Sequence, residues 1–498
     1  MSVIVIAALL TSFTICTVVS VYLGIRAKSV ADMLPLSEKK MAQIKSSGEF
    51  SASTVATTIS LATVVLAFFE LADKFGLWLF WAVITTSAGL LLVRLFANKI
   101  WTKISAYDHR PTLNEFLGRE FNSTSVRSVS AVCTSLGFLS AFALELIVGS
   151  AFFAGLVPGV KPFTALVILS LAVFLYTAVG GFRAVIISDR IQMFTIWMFL
   201  FFLSVFYACY VMQNGGWAKG IENIPQGVLN LSGREGLSSF LAGIFVMNVP
   251  TYLSDIGIWQ RIAGAQHSSI VLKGLLRSAL GAAISWSLII LLACFAFMLI
   301  KTDQTTNPLI LVIQTVSSSK SFFAVLVLFF ITLGLYGAML STASTQLIAV
   351  SHTIYEDILS SMRNRSLKER LVLAKELYIS RLILVVSAIA SIAVVYYLWR
   401  RGLSIADLVF TIYGAQVGLC PLVIAALLLK PGQLARLSGW AVAAVSVGFL
   451  TGWSSAIYGN FFGTESLVYS SPVSSLFVSS VILLSGLIFT SKKSKGEK

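Results

Sequence analysis

The sequence predicts an all-α protein that crosses a membrane about thirteen times. Composition carries the first part of this prediction, because 57% of the 498 residues are hydrophobic and only 11% are charged. A soluble domain has roughly 25% charged residues, so a soluble globule is excluded. A disordered chain is excluded too, because the sequence contains 35 Phe and 10 Trp residues and disordered segments are poor in aromatic side chains.

The number of crossings follows from the apolar stretches along the chain. A helix needs about 20 apolar residues to cross roughly 30 Å of hydrocarbon. We predict thirteen such spans, at 2–24, 50–71, 77–97, 127–157, 162–180, 184–212, 238–258, 276–300, 321–356, 377–398, 405–429, 437–458 and 472–490. The first span has no basic segment before it and no small-residue cleavage site, so we expect a retained helix rather than a signal peptide.

The distribution of basic residues predicts the orientation in the membrane. The formal net charge is +15, from 36 Lys and Arg against 21 Asp and Glu. If the N-terminus lies outside, 28 of the 36 basic residues fall in cytoplasmic segments and 8 in outer segments. Since short cytoplasmic loops are enriched in Lys and Arg, we expect an outer N-terminus and a cytoplasmic C-terminus. This distribution explains the basic charge without a nucleic-acid partner.

The motif content narrows the class of protein. The sequence has no Walker A pattern, so nothing in it supports ATP-driven pumping. Its five cysteines fall inside predicted spans and its three histidines lack ligand spacing, so we expect neither disulfides nor a resident metal centre. An intramembrane enzyme is disfavoured, because the spans hold no histidine at membrane depth and no acid pair at helical spacing. A gradient-driven transporter or a channel remains.

Acidic residues inside the predicted spans are the first functional candidates, because an ionisable group at membrane depth is costly unless it is paired or hydrated. Two of the five such acids lie close to span ends and can reach the interface. The other three are Glu145, Asp189 and Asp255. For Asp189 a structural ion pair with Arg183 or Arg190 remains an open alternative.

Span nine carries the densest group of hydroxyls, and these are candidate ion ligands. Residues at i, i+3 and i+4 share one helix face. Ala338, Ser341 and Thr342 have this spacing, and so do Ser341, Ser344 and Thr345. Sodium is a hard cation, and hydroxyls and free backbone carbonyls supply the oxygen ligands that it prefers. The same hydroxyls could instead bond to carbonyls of their own helix or allow close helix packing.

Free backbone carbonyls require a broken helix. Pro250, two residues after Asn248 in span seven, predicts one break because proline lacks a backbone donor. Span two has no Gly or Pro near residues 57–60, so the sequence signals no break there. Transporters made of two inverted halves bind substrate and ion at matching breaks. Residues 50–212 and 238–430 would form two such halves.

Three stretches of the chain resemble signatures of the sodium:solute symporter family. Residues 177–192, TAVGGFRAVIISDRIQ, are similar to its T-x-x-G-G-x-x-A-V-x-x-x-D-x-x-Q pattern. Residues 338–345, followed by Asp-Ile at 357–358, resemble its A-x-x-S-[ST] helix and D-[IL] pair. Gln-Arg at 260–261 matches its Q-R loop, and span count and order agree along nearly the whole chain.

The resemblance implies a LeuT-like core of five plus five helices in an inverted repeat. The two halves of this core would be the segments 50–212 and 238–430. One extra helix, 1–24, would precede the core. Two further helices, 437–490, and a short cytoplasmic tail, 491–498, would follow it.

The resemblance also implies where sodium binds. One sodium ion would lie between the first and eighth core helices, at Thr57, Ser60, Ala338, Ser341 and Thr342. Ser341 and Thr342 would contribute side chains, and the other three residues would contribute carbonyls. Some members have a second sodium site, and the matching residues here are Asp189, Ser341, Ser344 and Thr345. We therefore expect one or two sodium ions per cycle.

The solute site implied by the resemblance lies between the broken helices and the third and tenth core helices. The matching residues are Glu145, Asn248, Thr251, Tyr252, Asp255, Tyr413 and Gln416. Asp255 could pair with an amine on the solute or could hydrate the cytoplasmic exit. Ile59 and its apolar neighbours stand where sugar-transporting members carry polar residues, and this departure counts against a sugar.

Together these features predict a sodium-coupled secondary active symporter that imports a small polar organic solute by alternating access, and not an enzyme. Its expected partners are the solute, sodium ions and the lipid bilayer of the plasma (inner) membrane. Two alternatives stay open. One is a proton-coupled transporter of the same fold, with Asp189 or Glu145 carrying the proton, and the other is a transporter-like solute receptor.

Overall fold

A computed structural model describes residues 1–25, 43–300, 306–319, 321–359, 374–401 and 403–496. The structure is 86% helix, and no strand occurs among these residues, as the all-α prediction requires. Residues 26–42 and 360–373, which fall in two of the loops between predicted spans, lie outside the described residues, as do the last two residues of the predicted tail.

The described helices are α1 Ser2–Gly24, α2 Ser47–Thr58, α3 Ala67–Phe75, α4 Phe80–Ser105, α5 Leu113–Glu120, α6 Thr124–Leu156, α7 Pro162–Gln213, α8 Gly216–Glu222, α9 Leu237–Asn248, α10 Ile256–Gly264, α11 Ser268–Phe295, α12 Pro308–Ser318, α13 Phe322–Thr353, α14 Ala374–Arg400, α15 Ile405–Gln416, α16 Cys420–Leu428, α17 Pro431–Arg436, α18 Ser438–Phe462 and α19 Glu465–Gly496. Hydroxyl side chains cap the first turn of several of them. Ser46, Thr112, Ser123, Ser321 and Ser404 each accept a hydrogen bond from the backbone N–H three residues later.

Ten helical stretches within the described residues are long and apolar enough to cross a membrane. The chain is therefore an integral membrane protein, whereas the count of thirteen crossings stays a prediction. The longest stretch is α7, whose 52 residues would extend about 78 Å at 1.5 Å per residue, more than twice the hydrocarbon thickness. Gly181 has φ of 65° in its middle, a left-handed conformation that favours glycine, and it separates the segments predicted as two spans.

Two helices are broken near their middles. The predicted break in span seven occurs where expected, because α9 ends at Asn248 and α10 begins at Ile256 after Pro250. The break in span two has no sequence signal, yet α2 ends at Thr58. Ile59 and Ser60 are non-helical, and one π-helical turn, Leu61–Leu66, leads into α3.

Helices α7 and α13 form the centre of the bundle. α13 packs along both α6 and α7, and α1 packs against the outside of this pair. α2 packs against α7 and α11, so the first break faces the central helices. The C-terminal helices α18 and α19 pack on each other and on α15. There Ser471, Ser475 and Ser479 donate hydrogen bonds to carbonyls of α15 and the turn after it, which draws the helices close.

A buried charged cluster joins α5 to α6 and to the end of α13. Glu115 lies 2.9 Å from His109 Nε2 and pairs with Arg119 at 2.5 Å. Arg127 approaches Glu115 to 3.9 Å and pairs with Asp357 at 2.9 Å. Burial raises the pKa of the Glu115 carboxyl, but the His109 hydrogen bond and the nearby positive charges lower it by more, from 4.5 to about 2.

Glu115→Gln is expected to lower the stability of the protein at neutral pH by about 3 kcal/mol, because it removes this favourable interaction of the carboxylate. Since the folded-state pKa lies below 4.5, the stabilisation is present above about pH 4.5 and is lost as the pH falls towards about 2. The difference in Tm between wild type and E115Q in detergent should shrink over that range. A difference that stays constant from neutral pH to about pH 3 would contradict this expectation, and exposed Glu222→Gln is the matched control.

Candidate ion and solute site

A cavity of about 150 Å³ lies between the two broken helices and the helices that pack on them. A cavity of this volume holds a molecule about the size of benzene. Its lining residues are Thr54, Thr57, Thr58, Ser60, Thr63, Val64, Phe138, Ala141, Met247, Asn248, Thr251, Tyr252, Asp255, Ile258, Arg261, Trp286, Thr342, Thr345, Gln346, Val409 and Tyr413. Hydroxyl groups dominate the side formed by the first broken helix, and aromatic rings lie on the other sides.

A carboxylate from another helix accepts hydrogen bonds at the first break. Glu145 on α6 is fully buried and accepts hydrogen bonds from the hydroxyl of Ser60, from the backbone N–H of Leu61 at 2.8 Å, and from that of Ala62 at 3.2 Å. These backbone donors begin the helical segment that follows the break. The carboxylate therefore serves as its N-terminal cap, a role that sequence reasoning did not assign to Glu145.

The residues predicted for the first sodium site come from the first break and from α13, and the structure brings these two elements together. The Thr342 hydroxyl lies 3.4 Å from the carbonyl oxygen of Thr57. Thr57, Ser60 and Thr342 line the cavity, whereas Ala338 and Ser341 are buried beside it on α13. The Thr57 hydroxyl itself donates to carbonyls of its own helix, so only its carbonyl is directed to α13.

Asp189 is fully buried on α7, at the centre of a polar network. Its Oδ1 accepts a hydrogen bond from the Ser341 hydroxyl at 2.8 Å. Its Oδ2 accepts one from the Ser53 hydroxyl at 2.5 Å and lies 3.4 Å from Arg261 Nη2. The ion-pair partner of Asp189 is thus Arg261, which the sequence analysis did not name. Neither Arg183 nor Arg190, the two candidates from the sequence, forms an ion pair with Asp189 among the described residues.

Arg261 occupies the region predicted for a second sodium ion. Its guanidinium donates to the Ser53 hydroxyl at 2.9 Å, to the Thr345 hydroxyl at 3.0 Å and to the Gly257 carbonyl at 3.1 Å, besides its contact with Asp189. The side chain is only 2% exposed. Two members of the predicted ligand set, Asp189 and Thr345, therefore already contact a positive charge. A third, Ser344, donates to a carbonyl of its own helix at 3.2 Å.

Five of the seven residues predicted for the solute site line the cavity: Asn248, Thr251, Tyr252, Asp255 and Tyr413. The other two lie elsewhere. Glu145 caps the first break, and Gln416 lies against Gly137 on α6, where a Cβ atom would meet its side chain at 2.4 Å. The cavity lining therefore contains neither of them.

Asp255 has two structural relationships inside the site. Its Oδ1 accepts a hydrogen bond from the backbone N–H of Ile258 at 2.8 Å, so it caps α10 directly after the second break. It also lines the cavity beside Tyr252, Trp286 and Tyr413. A helix N-terminus stabilises a carboxylate, so α10 favours the charged form of this side chain, whereas its partial burial opposes it.

Several residues of the cavity lining and of the polar network around Asp189 had no assigned role in the sequence. Gln346 donates to the Tyr413 hydroxyl at 3.2 Å and so links α13 to α15. Trp286 on α11 lines the cavity, and Ser53 bridges Asp189 and Arg261. The signal for Arg261 was present in the Gln-Arg pair of the family pattern. The other three residues have no local sequence feature that separates them from ordinary core or hydroxyl positions.

The profile of the sodium:solute symporter family matches residues 46–430, which is most of the chain and includes both breaks. The chain belongs to the sodium:solute symporter family. A curated relative is the sodium/pantothenate symporter of Haemophilus influenzae, which is 28% identical over 142 residues. That match spans 28% of this chain and only 29% of the relative.

Solved structures agree with this family member over almost its whole length. A Na⁺-coupled sialic acid symporter in a substrate-bound outward-open state gives a TM-score of 0.72 at 16% identity, covering 96% of this chain and 97% of that one. The nucleobase-cation-symport-1 family transporter Mhp1 in a closed conformation gives 0.57 at 12% identity, covering 90% and 93%. At these identities the matches show the fold alone, which is the LeuT fold. The family and these structural neighbours are transporters rather than enzymes.

Proposed function

We propose that this family member is a sodium-coupled secondary active symporter that imports a small polar organic solute by alternating access. The observation that carries the proposal is the approach of the Thr342 hydroxyl to the Thr57 carbonyl across the first break. This contact places a hydroxyl and a free carbonyl next to a solute-sized cavity, and both are oxygen ligands that suit sodium.

The sodium ion would bind at Thr57, Ser60, Ala338, Ser341 and Thr342. An ion bound there would join the first broken helix to α13, so ion binding would favour the arrangement in which these two elements lie together. Solute would then bind in the adjacent cavity, and the protein with both sodium and solute bound would change from the outward-open to the inward-open state. The inward electrochemical gradient supplies about 2.3 kcal/mol per charge for each 100 mV of membrane potential.

Polar contacts cross the side of the cavity that the charge pattern predicts to be cytoplasmic. Arg261, which lines the cavity, connects α10 to α7 and α2 through Asp189 and Ser53. One helical turn before Ser53 on α2, Glu49 forms a two-pronged ion pair with Arg183, at 2.8 and 2.9 Å. These contacts support a cycle in which solute enters from the opposite side and the polar contacts separate for its release.

Uptake into proteoliposomes tests this proposal. An inward sodium gradient should drive accumulation of the solute, and replacement of sodium by potassium should abolish it. A pH gradient imposed without sodium separates proton coupling from sodium coupling, because only a proton-coupled transporter would then accumulate solute. Accumulation that is independent of sodium would overturn the proposal, and binding of solute without any accumulation would favour a receptor.

The charged lining of the cavity supports a solute with a positively charged nitrogen. Asp255 and Arg261 are the two charged residues among the described lining residues. The Arg261 guanidinium contacts Asp189, Ser53 and Thr345, whereas Asp255 lines the cavity together with Tyr252, Trp286 and Tyr413. An ammonium group gains from both a carboxylate and aromatic faces.

Asp255→Asn is expected to weaken binding of such a solute by about 10- to 150-fold, which corresponds to the 1.5–3 kcal/mol of a hydrogen bond to a charged group. The measurement is a screen of thermal shifts in sodium buffer with amino acids, amines, sugars and carboxylates. Compounds with an ammonium group should raise the Tm of the wild type and of the exposed control Asp73→Asn, but not that of D255N. Equal shifts in D255N and wild type would contradict the assignment of Asp255.

A further inference from the structure

The first break differs from the second in the source of its cap. The second break is capped by Asp255, which belongs to the same chain segment. The first is capped by Glu145, which lies 85 residues from Ser60 along the chain and on a different helix. Ser60 accepts the Thr63 N–H from within the segment, and α6 supplies from outside the acceptor for the N–H groups of Leu61 and Ala62.

The position of the Glu145 carboxylate changes the hydrogen bonding of the Thr57 carbonyl. In a continuous α-helix the N–H of Leu61 would donate to the carbonyl of Thr57, four residues earlier. Here the Leu61 N–H donates to Glu145 Oε1 at 2.8 Å instead. The Thr57 carbonyl is left to accept from the Thr342 hydroxyl, and it is one of the oxygens assigned to the proposed sodium site.

A negative charge on Glu145 would also act at this place. The residue is fully buried, and no Lys, Arg or His among the described residues forms an ion pair with it. Its carboxylate contacts Ser60, whose carbonyl is a second proposed sodium ligand. A buried negative charge next to oxygen ligands strengthens the binding of a cation.

We infer that Glu145 is a positioning residue that keeps the first core helix open at Thr57 and thereby sets the affinity for sodium. The inference rests on the proposed sodium site. It gives Glu145 an indirect role in ion binding, in place of the direct contact with solute that the sequence predicts. Neutral glutamine at this position would lose the charge, and its amide NH₂ would face a backbone N–H donor in place of an acceptor oxygen.

Binding of radiolabelled sodium to the full-length protein in detergent tests this role without knowledge of the solute. Potassium replaces sodium at constant ionic strength. Glu145→Gln should raise the half-saturating sodium concentration by about tenfold or more. Ser60→Ala removes one donor to the carboxylate and the acceptor of the Thr63 N–H but keeps the Ser60 carbonyl, and it should give a smaller rise of about two- to fivefold. Ser150→Ala is the matched control, because Ser150 is buried on the same helix and bonds to its own helix carbonyl.

The combined variant S60A/E145Q gives a result that a merely structural role of Glu145 would not produce. If Glu145 acts through Ser60 and the break, the combined variant should bind sodium no more weakly than E145Q alone. If E145Q binds sodium with wild-type affinity, the inference is wrong. If E145Q does not fold, S60A decides instead, and wild-type sodium affinity in S60A would overturn the inference. A wild-type protein that binds no sodium at all overturns the proposed function itself.

Discussion

The double variant Ser341→Ala, Thr342→Ala is expected to abolish sodium-driven uptake. Both hydroxyls belong to the proposed sodium site, and Thr342 is the side chain that reaches the Thr57 carbonyl. Each lost interaction with a charged group costs about 1.5–3 kcal/mol, so the pair should raise the half-saturating sodium concentration by about 10²- to 10⁴-fold. Sodium at ordinary concentrations would then no longer bind.

Uptake of solute against increasing sodium measures this effect in proteoliposomes, together with binding of radiolabelled sodium. Thr332→Ala is the matched control, because Thr332 is buried on the same helix and bonds to a carbonyl one turn earlier on that helix. Sodium-dependent uptake with a wild-type half-saturation in the double variant would contradict the sodium site. Loss of uptake in T332A to the same degree would show that hydroxyl removal from α13 acts through folding.

Arg261→Gln is expected to be the most destabilising single substitution in the core. It would leave Asp189 buried without its ion-pair partner and would remove the donors to Ser53 and Thr345. Removal of one partner from a buried ion pair costs about 3–5 kcal/mol, because the remaining charge is uncompensated. We expect little folded protein from R261Q, and a recovery when Asp189→Asn is added.

Thermal unfolding in detergent of wild type, R261Q, D189N and the double variant forms a complete cycle. The double variant should be more stable than R261Q, and exposed Arg277→Gln should behave like wild type. If the effects of R261Q and D189N simply add in the double variant, the ion pair contributes nothing. The same proteins also address the number of sodium ions. Because Arg261 contacts Asp189 and Thr345, two ligands of the predicted second site, we propose one sodium ion per cycle. Sodium-dependent uptake by the wild type should then show a Hill coefficient of about 1.

The sequence signalled the two breaks unequally. Pro250 predicts the second break because a residue without a backbone N–H interrupts a helix wherever it occurs. No Gly or Pro near Ile59 and Ser60 marks the first break in the sequence. The Glu145 carboxylate accepts the backbone N–H groups that follow the break, and this contact depends on how α6 packs against the first core helix. A pattern read along one segment therefore carries no trace of it.

The candidate site shows the same difference between what a local sequence pattern predicts and what depends on tertiary packing. Hydroxyl spacing on α13 predicted which side chains share a face, since helical periodicity is a local property. It did not predict that Ser341 would meet Asp189, or that Arg261, 72 residues further along the chain, would share that carboxylate. The assignment of ions to these residues remains a prediction for the sodium experiments.

The sequence by itself determined the environment, the helical class and the family. Scarce charge and long apolar stretches allow only a membrane-spanning helical chain, because backbone groups in hydrocarbon must be satisfied within each segment. The tertiary structure alone decided the partners of the buried charges: Glu145 with the first break, and Arg261 with Asp189. The physical reason is that burying a charge is costly at any position, which sequence reveals. The groups that compensate it come from whichever helices pack alongside, which sequence does not reveal.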